Sequence, residues 1–220
     1  MSGRLRSTMV AVSTALVIVG VSVAILLMPW FTAIMVPASG AYELSDLSPE
    51  ITRGVAEEVR CFVTHKDGAL PPRVAGQEAF DEAAVSHLED VRDVILAARW
   101  VTIVALVALC ILVAHAVAHG AQAALARGFK WAGFALLSIL VVVAAAGIID
   151  FDALFSGFHS LFFASGTWVF PYDALLIRIF PLPFWAAAGA LWAVLVAFGA
   201  FAFIVAGRTV GNLFSPRTGD

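Results

Sequence analysis

Four apolar stretches without a Lys, Arg, Asp or Glu constrain this 220-residue chain more than any other feature: about 8–36, 100–118, 131–149 and 184–206. A helix needs roughly 20 apolar residues to cross the hydrocarbon core of a bilayer, and each stretch meets that length. The composition agrees, because 61% of the residues are hydrophobic and only 13% are charged. A soluble domain has roughly 45–50% apolar and about 25% charged residues, so part of this surface belongs against lipid. The first stretch is too long for a signal-peptide core, which spans about 7–15 residues, and reads as an uncleaved span. The expected fold class is an all-α integral membrane protein. It is a four-helix transmembrane bundle, a single membrane domain over 1–220, with an extracytoplasmic helical segment and a re-entrant or interfacial loop.

The basic residues set the expected orientation, since Lys and Arg favour the cytoplasmic side. Arg4 and Arg6 precede the first span, Arg127 and Lys130 lie between the second and third, and Arg208 and Arg217 follow the fourth. Asp220 is the one acid in these regions. Residues 37–93, by contrast, hold twelve of the 16 acidic residues against five basic ones. Both termini are therefore expected in the cytoplasm, with outer segments at 37–99 and 150–183. Cys61 falls in a polar segment and Cys110 in an apolar one, so a disulfide between them is not expected.

The first outer segment carries a strong helix start at Ser48-Pro49-Glu50: a capping hydroxyl, a proline at the first helical position and an acid near the positive end of the dipole. Ile51, Val55, Val59 and Phe62 follow at helical spacing, which predicts an amphipathic helix lying on the membrane surface and ending at Lys66-Asp67-Gly68, with Pro71-Pro72 as a linker. A second helix starts near Glu78 and runs without a breaker into the second span. On it His87, Asp90 and Val94 share a face, so an imidazole and a carboxylate sit together. The second outer segment is very apolar but broken at Ser165-Gly166 and Pro171, which predicts a re-entrant or interfacial piece lining a cavity. Asp173 is placed to cap a short helix through Ile179, and Trp168, Tyr172 and Trp185 suit the headgroup level.

His159 stands inside the aromatic run of 158–163. An imidazole there can anchor the loop by bonding a carbonyl, or act as a general acid or base, since its ordinary pKa lies near neutrality. His115 and His119 have the spacing of a metal pair but no third ligand nearby, which favours a structural role, and no metal is expected. There is no nucleophile elbow, P-loop or dinucleotide fingerprint. The cytoplasmic segments are too short for a catalytic domain, and the spans lack the acid–base chain of a proton-coupled transporter. Chemistry, if present, belongs at the outer face.

Two runs resemble a known family. Phe158-His159, Leu161-Phe162-Phe163, Trp168, Phe170-Pro171, Asp173, Leu176-Ile177, Phe180-Pro181 and Phe184-Trp185 are similar to the signature of the Lit family of lipoprotein intramolecular transacylases. Ala79-Phe80 and Ser86 through Val91 resemble its second motif. The resemblance covers essentially the whole chain. It implies a membrane-embedded acyltransferase that moves the sn-2 acyl chain of a diacylglyceryl lipoprotein to the α-amino group of the same N-terminal cysteine. The product is the lyso form. It implies His87 and His159 as catalytic, with His159 taken as the base and His87 as its partner. Trp168, Asp173, Arg178, Asp90 and Phe163 are candidates for binding or support, and an oxyanion could be held by Arg178, Trp168 or loop N–H groups. No cofactor or nucleic acid is implied; the expected partners are diacylated lipoproteins and membrane lipid, and the expected state is a monomer. Two other readings stay open: a non-catalytic protein binding a lipid or partner in the outer cavity, and a metal site formed by His87, His159 and Asp90 or Asp173.

Overall fold

The computed structural model describes residues 2–164 and 166–213; Ser165, Arg217 and Asp220, used above, lie outside them. The described residues fold almost entirely as helices: α1 (Gly3–Leu26), α2 (Pro29–Ala38), α3 (Ala41–Leu44), α4 (Pro49–Thr64), α5 (Glu82–Ala118), α6 (Gln122–Ile149), α7 (Phe151–Phe162), α8 (Leu175–Ile179) and α9 (Leu182–Leu213). Four of them, α1, α5, α6 and α9, are long and apolar enough to cross a membrane. The chain forms two compact units.

The first unit comprises 1–23, 99–145 and 192–220. Small residues let its helices approach closely, as expected where lipid supplies little hydrophobic drive between helices. Gly128 lies against Val10 and the Ser7 carbonyl, Gly133 against Ile204 and the Ala200 carbonyl, and Gly199 against Ile18. Val10, Val17, Leu109, Leu125 and Phe129 are buried together, as are Ile18, Leu136, Leu140, Val196 and Ala200. Val104, Val141, Val142 and Phe198 point outward, more than 60% exposed (64%, 70%, 69% and 74%), a surface suited to acyl chains.

The second unit comprises 24–98 and 146–191. Here the structure corrects the first apolar stretch, which does not run unbroken over 8–36. Its helix ends at Leu26, Met28 turns extended, and Pro29 opens α2 at its first position. A residue before proline is pushed out of the helical region, which explains the break. The Leu27 carbonyl accepts a bond from Arg60 Nη1 at 3.0 Å. Ser48 caps α4 as expected, its hydroxyl accepting from the Ile51 N–H. The apolar stripe of α4 is not free to lie on a membrane, however. Val55, Val59 and Phe62 are buried with Phe31, Val36, Phe80, Leu88 and Ile179 in the core of this unit. The helix ends at Thr64, with His65 already extended. The Pro71-Pro72 linker leads into a small hairpin, β1 (Arg73–Val74) antiparallel to β2 (Gln77–Glu78). Its two turn residues both have left-handed backbones, Ala75 at φ 50° and Gly76 at φ 84°. Such geometry is what a two-residue hairpin requires.

Candidate active site

Two helix starts in the second unit position the two histidines. At the head of α5 the Asp81 carboxylate accepts from the Ala84 N–H at 2.8 Å, fixing the first turn. His87 follows on the face of Ala84 and Leu88, and all three are buried. At the head of α7 the Asp150 carboxylate accepts from the Ala153 N–H at 2.9 Å. Two turns later His159 is buried while its neighbours Phe158 and Leu161 are exposed. The chain leaves α7 at Phe163, which is extended, and just before Trp168 the Thr167 hydroxyl donates to the Ala164 carbonyl.

The outcome is a cluster of rings. The His87 and His159 imidazoles lie 6.1 Å apart between centroids, with their planes inclined by 30°. Phe163 touches both, at 4.9 Å from His87 and 5.7 Å from His159. Trp168 covers His159 at 5.0 Å and Phe170 covers His87 at 5.5 Å. Phe155, one helical turn before His159, packs on it at 4.1 Å.

The hydrogen bonds give the two imidazoles different states. His159 Nδ1 lies 2.9 Å from the Phe155 carbonyl. A carbonyl only accepts, so Nδ1 carries the proton and Nε2 is the free basic nitrogen. Burial pushes the His159 imidazole below its ordinary pKa, and the Phe155 bond works against that shift. The ring is therefore neutral at pH 7 and able to take a proton. His87 Nδ1 is enclosed and has no hydrogen-bond partner, and the same holds for the Trp168 indole N–H. Buried polar atoms are nearly always paired, so these two orphans beside one pair of imidazoles set the cluster apart.

Of the residues singled out in the sequence, the ring cluster contains His87, His159, Phe163 and Trp168. Asp90 is exposed one turn beyond His87, whose Nδ1 it does not bond. Asp173 is exposed and does not cap α8: Ala174 holds the cap position, without a side-chain bond. Arg178 is engaged by Asp46, at 2.9 Å, and Asp46 has a left-handed backbone at φ 57°. Phe155 and Phe170 were not among the candidates. Phe155 could have been found from its place four residues before His159, where a helix presents the carbonyl. Among the described residues no three His, Cys, Asp or Glu side chains gather at metal-binding spacing.

A family model described as lipoprotein intramolecular transacylase Lit matches residues 8–185. Among solved structures, the membrane integral lipoprotein intramolecular transacylase Lit from Bacillus cereus superimposes with a TM-score of 0.84 at 16% identity, over 96% of both chains. Two variants of that protein are also similar, each over 96% of this chain and at 17% identity. One carries a histidine-to-arginine substitution, with a TM-score of 0.76 over 92% of its chain. The other carries a histidine-to-alanine substitution, with a TM-score of 0.77 over 94% of its chain. No curated protein sequence matches the chain.

Proposed function

Because the chain belongs to the Lit family, the lipoprotein intramolecular transacylases of bacterial membranes, we propose that it transfers an acyl chain within a diacylglyceryl lipoprotein by acid–base catalysis at His159 and His87. The observation that carries this reading is the pair of buried imidazoles 6.1 Å apart. A group held at about 3 Å from a nitrogen of each ring can span that gap.

The reacting groups belong to one lipidated cysteine. The α-amino group attacks the carbonyl of the sn-2 ester. His159 Nε2 takes a proton from that nitrogen as the N–C bond forms, and a tetrahedral oxyanion results. The C–O bond to glycerol then breaks, and the departing oxygen receives the proton that His159 took, with His87 placed to relay or orient it. An amide and a free glyceryl hydroxyl are left, with no net proton gained or lost. Both groups are tethered to one residue, and effective molarities of about 10⁵–10⁸ M are reached in well-oriented intramolecular reactions. That removes the need for a serine or cysteine nucleophile. Trp168 supplies the oxyanion donor: its N–H is enclosed, unpartnered and on a ring packed against His159. Such preorganised donors are among the larger contributions to catalysis. Arg178, whose Nη1 Asp46 holds while its Nε is enclosed and unpartnered, is the second candidate donor.

The orientation that accompanies this reading puts both termini in the cytoplasm and the ring cluster at the outer face. The basic residues of 1–6, 119–130 and 208 support it. Each catalytic imidazole comes from the same chain, so a monomer suffices.

Expression in a host that makes diacyl lipoproteins tests the proposal. Mass spectrometry of the N-terminal lipopeptide should show conversion to the lyso form. His159→Ala and His87→Ala should each abolish it while the protein remains in the membrane. A double variant that still converts the substrate would remove the mechanism.

A further inference from the structure

The first unit carries a strongly one-signed charge distribution that the acyl transfer does not use. Among its described residues there is no Asp or Glu. Arg4 and Arg6 lie in the first turns of α1, Arg127 and Lys130 near the start of α6, and Arg208 near the end of α9. The Arg127 Nε donates to the Ser7 hydroxyl at 3.3 Å, a neutral partner. The Arg6 Nε is enclosed and has no partner. Its guanidinium is an electrostatic neighbour of His115, whose ring stacks on His119 at 4.2 Å at the end of α5. A guanidinium donor shut away from water without an acceptor is costly. Among the described residues of this unit no carboxylate pairs with it, which leaves the half-exposed Arg6 open to an anion from outside the chain.

The surroundings say what kind of anion fits. Leu5 and Met9 flank Arg6 on α1 and are 49% and 41% exposed, and Val117 beside His115 is 64% exposed. Cationic donors therefore sit directly beside exposed hydrocarbon. Basic pockets between transmembrane helices are a known setting for lipid headgroups. We propose that Arg6 and Arg127, with the His115–His119 pair beside them, bind the phosphate of an anionic phospholipid whose acyl chains run along α1 and α5. The apolar flank distinguishes this ligand from a soluble phosphate, which would gain nothing from Leu5, Met9 and Val117.

The test uses the purified full chain in a neutral detergent. Binding of phosphatidylglycerol, phosphatidylcholine and inorganic phosphate is compared by native mass spectrometry and by thermal stabilisation. Phosphatidylglycerol should bind and raise Tm, and the effect should weaken with salt. Each basic residue near an anionic surface contributes about 1 kcal/mol, so Arg6→Gln with Arg127→Gln should weaken binding roughly thirtyfold. Equal binding of phosphatidylcholine would overturn the proposal, as would equal stabilisation by inorganic phosphate. Full affinity in the double variant would do the same. Should that variant fail to fold, the comparison of the three ligands on the unaltered protein still decides. Lyso-form production is read in parallel, and it should persist in the double variant because neither arginine lies in the ring cluster.

Discussion

Replacing Trp168 by phenylalanine separates two things that a mutation usually confounds. The variant keeps an aromatic ring against His159, where the centroids lie 5.0 Å apart, and removes the unpartnered indole N–H. If that N–H receives the oxyanion, its loss should cost about 2.7–4 kcal/mol of transition-state stabilisation, or a rate fall of about 10²–10³. Stability should move the other way or not at all. Removing an enclosed unpaired donor recovers about 1–3 kcal/mol. Against this stands the smaller ring, which gives up roughly 40 Å² of buried apolar surface, about 1 kcal/mol at 25 cal/mol per Å². The net change lies between about zero and 2 kcal/mol in favour of the variant, and 1 kcal/mol moves Tm by about 2–4 °C at this chain length. The assay pairs single-turnover conversion of a diacyl lipopeptide with thermal melts of the same preparation. A rate within about threefold of the parent would refute the donor role, since one lost donor should cost far more. A slow variant that also melts several degrees lower would assign Trp168 to packing instead.

The remaining predictions concern pH and packing. Because burial lowers the pKa of His159 from its ordinary 6.5, the unfolded chain takes up a proton before the folded one does. Stability should be level above pH 6.5 and fall as pH drops from there through the folded-state value, and His159→Gln should flatten that slope in thermal melts. Transfer should persist somewhat below pH 6.5 before its acidic limb, as a pH–rate profile would record. A Cβ at Gly133 would clash with Ile204 Cγ1 and lie 2.6 Å from the Ala200 carbonyl oxygen. Gly133→Ala should therefore lose about 1–3 kcal/mol in denaturation. Gly157→Ala, which meets nothing within 4 Å, should be neutral or gain up to about 1 kcal/mol from helix propensity. Ser48→Ala should lower stability by about 1 kcal/mol through the lost cap of α4, read as a drop in Tm.

The parts legible in the sequence are those governed by length and by local chemistry. Hydrophobic length marks a span regardless of what packs on it, so all four long helices were found. The Ser48 cap was found because it is written in three adjacent residues. The break after Leu26 was missed because Leu27 and Met28 are as apolar as their neighbours, and only Pro29 signals it. The face of α4 was read correctly as apolar, but its partners are remote: Phe31 and Val36 precede it, and Phe80, Leu88 and Ile179 follow it at long sequence distance. A stripe of Val55, Val59 and Phe62 looks the same whether it meets lipid or protein. The hairpin at 73–78 hid behind two prolines, although Ala75-Gly76 marks its turn. In the site, His159 stood out as an imidazole inside an aromatic run, whereas His87, on the face of Asp90, was singled out only by the resemblance to the family's second motif. Asp173 looked like a cap, yet the cap fell on Ala174, since one residue of shift in a short helix leaves no trace in composition.

If His159 is the base of the proposed transfer, the bond from its Nδ1 to the Phe155 carbonyl has a consequence for how the site recovers after each turnover. Many catalytic imidazoles lean on a carboxylate that welcomes the positive charge. Here the supporting group is a neutral peptide oxygen, which aims the ring but does little to retain an extra proton. An imidazolium formed there is a loan, held without a counterion in a shell of phenyl and indole rings. It is discharged most readily onto the glyceryl oxygen that the same reaction releases. Donor and recipient of the proton are parts of one substrate, so each cycle closes its own proton account. A catalyst of this kind needs no water wire to reset, which suits chemistry carried out beside hydrocarbon.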